Sequence, residues 1–181
     1  FALPIILAKL ALEQQWLDFG VTNQGTLLEE PLTLSELGIN NDQFHQQWLI
    51  IYRLPEQCDS PCQKTLEVVH NSYVALGKEM PRITPVALQV NEFSSEQAQR
   101  ISQSQWQVIN LPTSAAQRLT QEKILLADPL GNIILSYAPV REVSSINTPA
   151  TEGIENSLPQ QQLSKAIIAD MKKLLKYSKV G

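Results

Sequence analysis

The sequence lacks the patterns from which many well-known catalytic and binding sites are built. It has no glycine-rich phosphate loop and no Gly-x-Ser-x-Gly nucleophile turn. Its two cysteines and two histidines do not have the spacing of a zinc site. A net charge of −4, with 18% charged residues, leaves no large basic face for a nucleic acid. We therefore expect no nucleic-acid partner and no zinc, phosphate-loop or serine-hydrolase chemistry.

The apolar N-terminal segment, residues 1–16, is too short to cross a bilayer. Its first twelve residues are apolar apart from Lys9, whereas a spanning helix needs roughly 20 residues. Two interpretations remain open: the outer end of a transmembrane anchor, or an amphipathic helix packed on the domain. We favour the anchor, because Trp16 follows where an aromatic residue of the membrane interface would lie.

The two cysteines, Cys58 and Cys62, lie between a predicted buried strand and a predicted helix. Residues 48–54 form an apolar run that ends at Pro55. A helix is predicted from about Pro61 to Lys78, because apolar residues recur at helical spacing, namely Leu66, Val69, Tyr73 and Leu76. The pattern places the thiols at a helix N-terminus, where the helix dipole and free backbone N–H groups stabilise a thiolate.

Strands and helices alternate along the remainder of the chain. Further strands are predicted at 82–90 and 105–110, and short helices follow them near residues 94–101 and 112–119. A hairpin joins 123–128 to 133–137 through a Pro-Leu-Gly-Asn turn. The segment before residue 48 is expected to be a turn-rich approach with short β pieces.

This order predicts an α/β, thioredoxin-like domain over residues 17–181, with parallel strands and the hairpin as an antiparallel edge. The domain includes a loop at 139–159 and a C-terminal helix at 160–178.

The motif Cys58-Asp-Ser-Pro-Cys62 and the hairpin, residues 125–135, resemble the Sco/SenC family. This resemblance implies a three-layer sandwich with a mixed central sheet. It also implies copper delivery and thiol reduction during cytochrome c oxidase assembly, with protein partners in that process. Residues 20–25, 75–79 and 174–178 extend the resemblance to bacterial membrane-anchored proteins associated with cytochrome oxidase genes. The implied location is the inner membrane, with the soluble domain in the periplasm.

The sequence departs from these families near the expected site. Sco proteins bind copper through both cysteines and a histidine just before the hairpin strand, but residues 119–124 contain no histidine. His70 lies eight residues beyond Cys62, which is roughly 12 Å along a helix, and His45 precedes the opposite end of the first strand. Thioredoxin-type oxidoreductases have Cys-x-x-Cys and a cis-proline facing it, whereas this chain has Cys-x3-Cys and no proline at 120–123.

Three hypotheses for Cys58 and Cys62 remain open. The pair is a reversible dithiol of a thiol-disulfide oxidoreductase, a two-thiolate Cu(I) site, or a structural disulfide in a partner-binding scaffold. We favour thiol exchange. No cofactor is required, and copper is the one that the resemblance suggests.

Overall fold

A six-stranded mixed sheet organises the chain in the computed structural model, which describes residues 23–141 and 160–178. The strands lie across the sheet in the order β1-β6-β5-β2-β3-β4. Their bounds are Thr26–Thr33 (β1), Trp48–Arg53 (β2), Ile83–Gln89 (β3), Gln107–Asn110 (β4), Lys123–Ala127 (β5) and Asn132–Tyr137 (β6).

Strand β2 lies inside the sheet, and all six of its residues are buried. It pairs in parallel with β3 and antiparallel with β5. Its sequence, Trp-Leu-Ile-Ile-Tyr-Arg, contains a continuous apolar run. A strand with one solvent-exposed face would alternate apolar and polar residues, so this run is typical of a strand covered on both faces. The end of β2 leads directly into the cysteine loop.

Within residues 23–141 and 160–178, four α-helices and three 3-10 helices cover the sheet. The α-helices are Ser60–Ala75 (α1), Ser95–Ser102 (α2), Thr113–Ala116 (α3) and Gln160–Tyr177 (α4), and the 3-10 helices are Ser35–Leu37, Asn41–Phe44 and Gly77–Arg82. One apolar cluster joins the sheet to α1 and α4, and a second joins its other face to α3 and the first two 3-10 helices. The expected three layers and C-terminal helix are therefore present.

Helix α4 is fastened to the sheet by a buried carboxylate. Asp170 is 1% exposed and accepts hydrogen bonds from the backbone N–H groups of Gln24 and Gly25 and from the Tyr137 hydroxyl. A Cβ atom at Gly25 would lie 2.7 Å from the Tyr137 ring, so this close approach needs glycine. The turn at residues 23–25 thus has a structural role.

Two elements differ from the sequence-based expectation. β1 is one eight-residue strand. It pairs with β6 and forms the edge of the sheet, so the β5–β6 hairpin lies inside the sheet. The pairing of β1 with β6 is interrupted between Leu27 and Leu32, and an edge strand tolerates Pro31 there because it needs fewer N–H donors. Helix α1 ends at Ala75 because Gly77 adopts a left-handed conformation with φ of 56°.

The predicted N-terminal anchor at 1–16 and residues 142–159 of the predicted loop lie outside the described residues. Within the described ranges, no helix has the length and apolar character needed to span a membrane. Val140 is buried, and its backbone N–H donates to the Thr65 hydroxyl of α1.

Candidate functional site

The cysteine pair forms a disulfide bond at the start of α1. Cys58 and Cys62 have a Cα–Cα distance of 5.1 Å, which is within the range that a disulfide requires. The loop after β2 turns so that Cys58 precedes the helix and Cys62 is the third residue of its first turn. The structure therefore brings the two predicted site residues together and pairs them.

Local sequence explains why a helix begins here. The Asp59 side chain accepts a hydrogen bond from the Cys62 backbone N–H at 3.2 Å, as an N-cap residue does. Pro61 occupies the second helical position, where the missing N–H has no intrahelical partner to lose. A carboxylate and a sulfur atom thus share the positive end of the α1 dipole.

The two sulfur-bearing residues differ in exposure. Cys62 is 0% exposed and belongs to the apolar cluster beneath α1. Cys58 is half-buried and only packs against that cluster. A reagent arriving from solvent would therefore meet Cys58 first.

The cysteine loop is held from the side by the N-terminal end of α2. The Gln97 side-chain amide donates to the Cys58 carbonyl oxygen at 2.8 Å, and Asn91 donates to the Glu56 carbonyl oxygen at 3.2 Å. Gln97 also completes a capping box with Ser94. Sequence patterns predict the Ser94 cap, but not the contact between Gln97 and the cysteine loop.

A groove of about 420 Å³ lies beside Cys58, between α1 and α2. Its apolar lining comes from Leu66, Phe93, Ile101 and Trp106, and its polar lining includes Glu67 and His70. Nδ1 of His70 is buried without a hydrogen-bond partner. The other histidine, His45, is exposed at the end of the 3-10 helix Asn41–Phe44.

Within the described parts of the chain, no group of three or more His, Cys, Asp or Glu side chains is arranged to hold a metal ion.

The segment before β5 is tied to the end of β2 by side-chain hydrogen bonds. The Tyr52 hydroxyl donates a hydrogen bond to the Glu122 carboxylate. Arg53, which is 6% exposed, donates from Nε to the Leu119 carbonyl oxygen at 3.0 Å and from Nη1 to the Leu54 carbonyl oxygen at 2.7 Å. Two consecutive residues of β2 thus fix the segment that precedes β5.

Burial raises the pKa of the Glu122 carboxyl above the usual range of a glutamate. The hydrogen bond from Tyr52 opposes this rise, the negative charge of Asp59 adds to it, and the positive charges of Arg141 and Arg53 oppose it. Burial is also the main reason why the pKa of Tyr52 is raised, and the Glu122 carboxylate adds to the effect.

Sequence reasoning missed the contact between Tyr52 and Glu122. The available signal is a hydroxyl-bearing side chain in a mostly apolar strand, since buried tyrosines usually need a hydrogen-bond partner.

Comparison with known proteins identifies the fold. A family model described as transmembrane-like, thioredoxin-like, C-terminal domain matches residues 48–148. This match includes β2, both cysteines, the groove and the hairpin. No curated protein matches the chain.

Several solved structures share the fold at low sequence identity. The apo Sco1 protein of Thermus thermophilus is 16% identical, with a TM-score of 0.53, over 86% of this chain and 99% of that one. Copper-bound ScoI of Arabidopsis thaliana is 11% identical, with a TM-score of 0.51, over 74% and 89%. BsSco, described as a Sco-family cytochrome c oxidase assembly protein with a disulfide switch, is 12% identical, with a TM-score of 0.50, over 86% and 98%. The predicted thioredoxin-like, Sco-like fold is confirmed, and at these identities the likeness extends to the fold alone.

Proposed function

The chain belongs to the transmembrane-like, thioredoxin-like C-terminal domain family, and on that premise we propose that Cys58 and Cys62 form a reversible disulfide that exchanges with a protein partner. The observation that carries the proposal is the unequal exposure of the pair: Cys58 is half-buried beside a groove, and Cys62 is fully buried. Such a pair has one sulfur for the partner and one that resolves the mixed disulfide.

The position at the N-terminus of α1 supports this chemistry. Thiol exchange requires a thiolate, and a helix N-terminus lowers the pKa of a thiol toward neutrality. The Asp59 carboxylate and the nearby Glu56 oppose that effect, because negative charge disfavours a second anion. The half-buried Lys64, in the second turn of α1, favours the thiolate.

The partner we propose is a protein of cytochrome c oxidase assembly. BsSco, which shares the fold, is described as a member of a family of such assembly proteins and as having a disulfide switch. A disulfide between Cys58 and Cys62 suits an oxidising compartment. We propose that the domain lies in the periplasm, held at the inner membrane by an N-terminal anchor; the transmembrane-like description of the family model supports this.

Two single variants test the proposal with oxidised glutathione as the probe. In reduced Cys62→Ser, we expect glutathione to accumulate as a mixed disulfide on Cys58, detected by mass spectrometry. In reduced Cys58→Ser, the remaining sulfur is buried, so we expect the mixed disulfide to form at least about tenfold more slowly. Equal rates for the two variants, or no adduct on Cys58, would overturn the proposal.

The second candidate is the transfer of Cu(I) as cargo, favoured by the copper-bound ScoI structure of the same fold. Once reduced, Cys58 and Cys62 would offer two soft thiolates, which suit Cu(I). The third ligand of the Sco site has no counterpart here, because residues 119–124 contain no histidine and the residue directly before β5 is Glu122, a hard oxygen donor. The described residues therefore fit a two-coordinate Cu(I) site but not a Cu(II) site.

Anaerobic titration of the reduced protein with Cu(I) tests this second candidate. Stoichiometric uptake that is lost in a Cys58→Ser/Cys62→Ser double variant would support copper handling. No uptake by the wild-type protein would remove it.

A further inference from the structure

The cysteine loop, residues 54–59, joins β2 to α1 and belongs to neither element. The two cysteines are therefore held differently. Cys62 is fixed by α1, since it is buried and its backbone N–H donates to the Asp59 side chain. Cys58 lies outside any helix or strand, so its position relative to Cys62 depends on what holds the loop.

The Gln97 side chain of α2 holds the backbone of Cys58 directly. Its amide nitrogen donates to the Cys58 carbonyl oxygen at 2.8 Å, and its amide oxygen accepts the Ser94 backbone N–H at 3.3 Å. Both ends of this half-buried amide are engaged, so its orientation is defined. A second and longer hydrogen bond, at 3.2 Å, reaches the same loop from the exposed Asn91 to the Glu56 carbonyl oxygen.

The hydrogen bond from Gln97 bears on the chemistry because an internal disulfide forms only when the two sulfur atoms meet. Ordering a loop for that encounter costs conformational entropy. A loop that a hydrogen bond already holds loses less entropy, which raises the effective concentration of one sulfur at the other. We therefore expect the bond between Gln97 and Cys58 to favour the disulfide over the dithiol.

We propose that Gln97 is a positioning residue for Cys58, an inference that rests on the proposed exchange function. The Cys58 thiolate attacks a disulfide of the partner, forms a mixed disulfide and releases one partner thiolate. Gln97 then keeps the Cys58 sulfur in place while the Cys62 thiolate attacks it, so that the Cys58–Cys62 bond forms and the bond to the partner breaks. The two partner thiolates take up protons that balance those lost by the cysteines, and two electrons pass from the protein dithiol to the partner disulfide.

Gln97 also belongs to the capping box of α2, and a pair of variants separates this role from the one at Cys58. Ser94→Ala removes the Ser94 hydroxyl that accepts the Gln97 backbone N–H at 3.4 Å and leaves the Gln97 side chain in place. Gln97→Met removes the bond to the Ser94 N–H and the bond to Cys58, with a side chain of similar length. Each variant thus loses one bond of the capping box, and only Gln97→Met loses the bond to Cys58.

Glutathione redox buffers measure the equilibrium between dithiol and disulfide in the wild type and in both variants. Free thiols are alkylated, and mass spectrometry gives the reduced fraction at each buffer composition. We expect Gln97→Met to shift the equilibrium constant about fivefold toward the dithiol, the effect of one lost hydrogen bond. Ser94→Ala should match the wild type.

Kinetics with oxidised glutathione separate the two steps of exchange. Each reduced protein is mixed with the probe, and quenched samples give the amounts of mixed and internal disulfide over time. In Gln97→Met, the mixed disulfide on Cys58 should form at the wild-type rate, because that attack does not need Cys62, but it should persist about fivefold longer. Destabilisation of α2 alone would not separate the two steps in this way.

Gln97→Glu is a second variant, and it keeps the cap of α2. Glutamate serves in a capping box as glutamine does, but its carboxylate has no N–H to donate to Cys58. In about 1 M salt, which screens the added charge, we expect the same shift of about fivefold toward the dithiol. Should Gln97→Met fail to fold, this variant decides the matter.

A wild-type equilibrium constant in either folded Gln97 variant, a wild-type lifetime of the mixed disulfide in Gln97→Met, or an equal shift in Ser94→Ala would overturn the role of Gln97 and leave exchange intact. Absence of any mixed disulfide in the wild-type protein would instead overturn the proposed exchange function itself.

Discussion

At the scale of single residues, the sequence predicts the surroundings of some side chains better than those of others. The contrast is clearest between the two cysteines and Glu122. Cys58 and Cys62 were predictable, because two rare residues lie together at a helix start. Glu122 was not, since its partner Tyr52 lies 70 residues away in the sequence, and only the pairing of β2 with β5 brings them together. A lone glutamate before a strand looks like a surface residue until that pairing is known.

Asp170 is a buried residue whose contribution to stability can be measured. Asp170→Ala leaves two backbone N–H groups and the Tyr137 hydroxyl without their shared acceptor. We expect the free energy of unfolding to fall by about 3 kcal/mol, because unsatisfied buried donors add to the loss of the hydrogen bonds. Urea unfolding monitored by tryptophan fluorescence measures the change.

Tyr137→Phe is the control for this residue, since it removes one hydrogen bond to Asp170 and keeps the ring. Its expected cost is about 1 kcal/mol. A cost below 1 kcal/mol for Asp170→Ala would show that the carboxylate does not fasten α4.

At the scale of elements, local chemistry predicted the helices better than the sheet order. Pro61 and Ser94 mark the starts of α1 and α2 through short-range capping, and Gly131 marks the turn of the hairpin, so these features can be read from neighbouring residues. The place of β1 depends on pairing Thr26 with Ser136, a contact across more than 100 residues. No local pattern encodes this pairing, and a proline such as Pro31 is uncommon inside a strand.

The packing of α4 against α1 yields a prediction with an internal control. Ile167 is 0% exposed within the cluster that α4 shares with α1, whereas the adjacent Ile168 is only partly buried. Ile167→Ala should lower the free energy of unfolding by about 3 kcal/mol, because it removes buried methyl groups and leaves a cavity.

Ile168→Ala should lower the free energy of unfolding clearly less than Ile167→Ala does, since part of the Ile168 side chain is already exposed to solvent. Denaturant unfolding measures both changes. An equal fall in the free energy of unfolding for the two variants would contradict the placement of α4.

At the scale of the whole molecule, we expect the fold to persist when the disulfide is reduced. The bond closes a loop with a sequence separation of four, and such a short loop removes little entropy from the unfolded chain. Reduction should therefore cost about 2 kcal/mol, which is less than the total stability of a typical domain. A reduced domain that stays folded is what reversible exchange requires.

Unfolding curves with and without a reductant check this expectation, and the Cys58→Ser/Cys62→Ser variant gives the same comparison without added thiols. Loss of the folded state on reduction would indicate that the bond is a structural requirement.

The most direct test of the exchange function is the reduction potential of the Cys58–Cys62 disulfide. The protein is equilibrated with a series of glutathione buffers, free thiols are alkylated, and mass spectrometry gives the reduced fraction. We expect a potential between about −120 and −270 mV, the range of known thiol exchangers. A potential below about −300 mV would identify a structural bond and contradict the proposal that Cys58 and Cys62 exchange electrons with a partner.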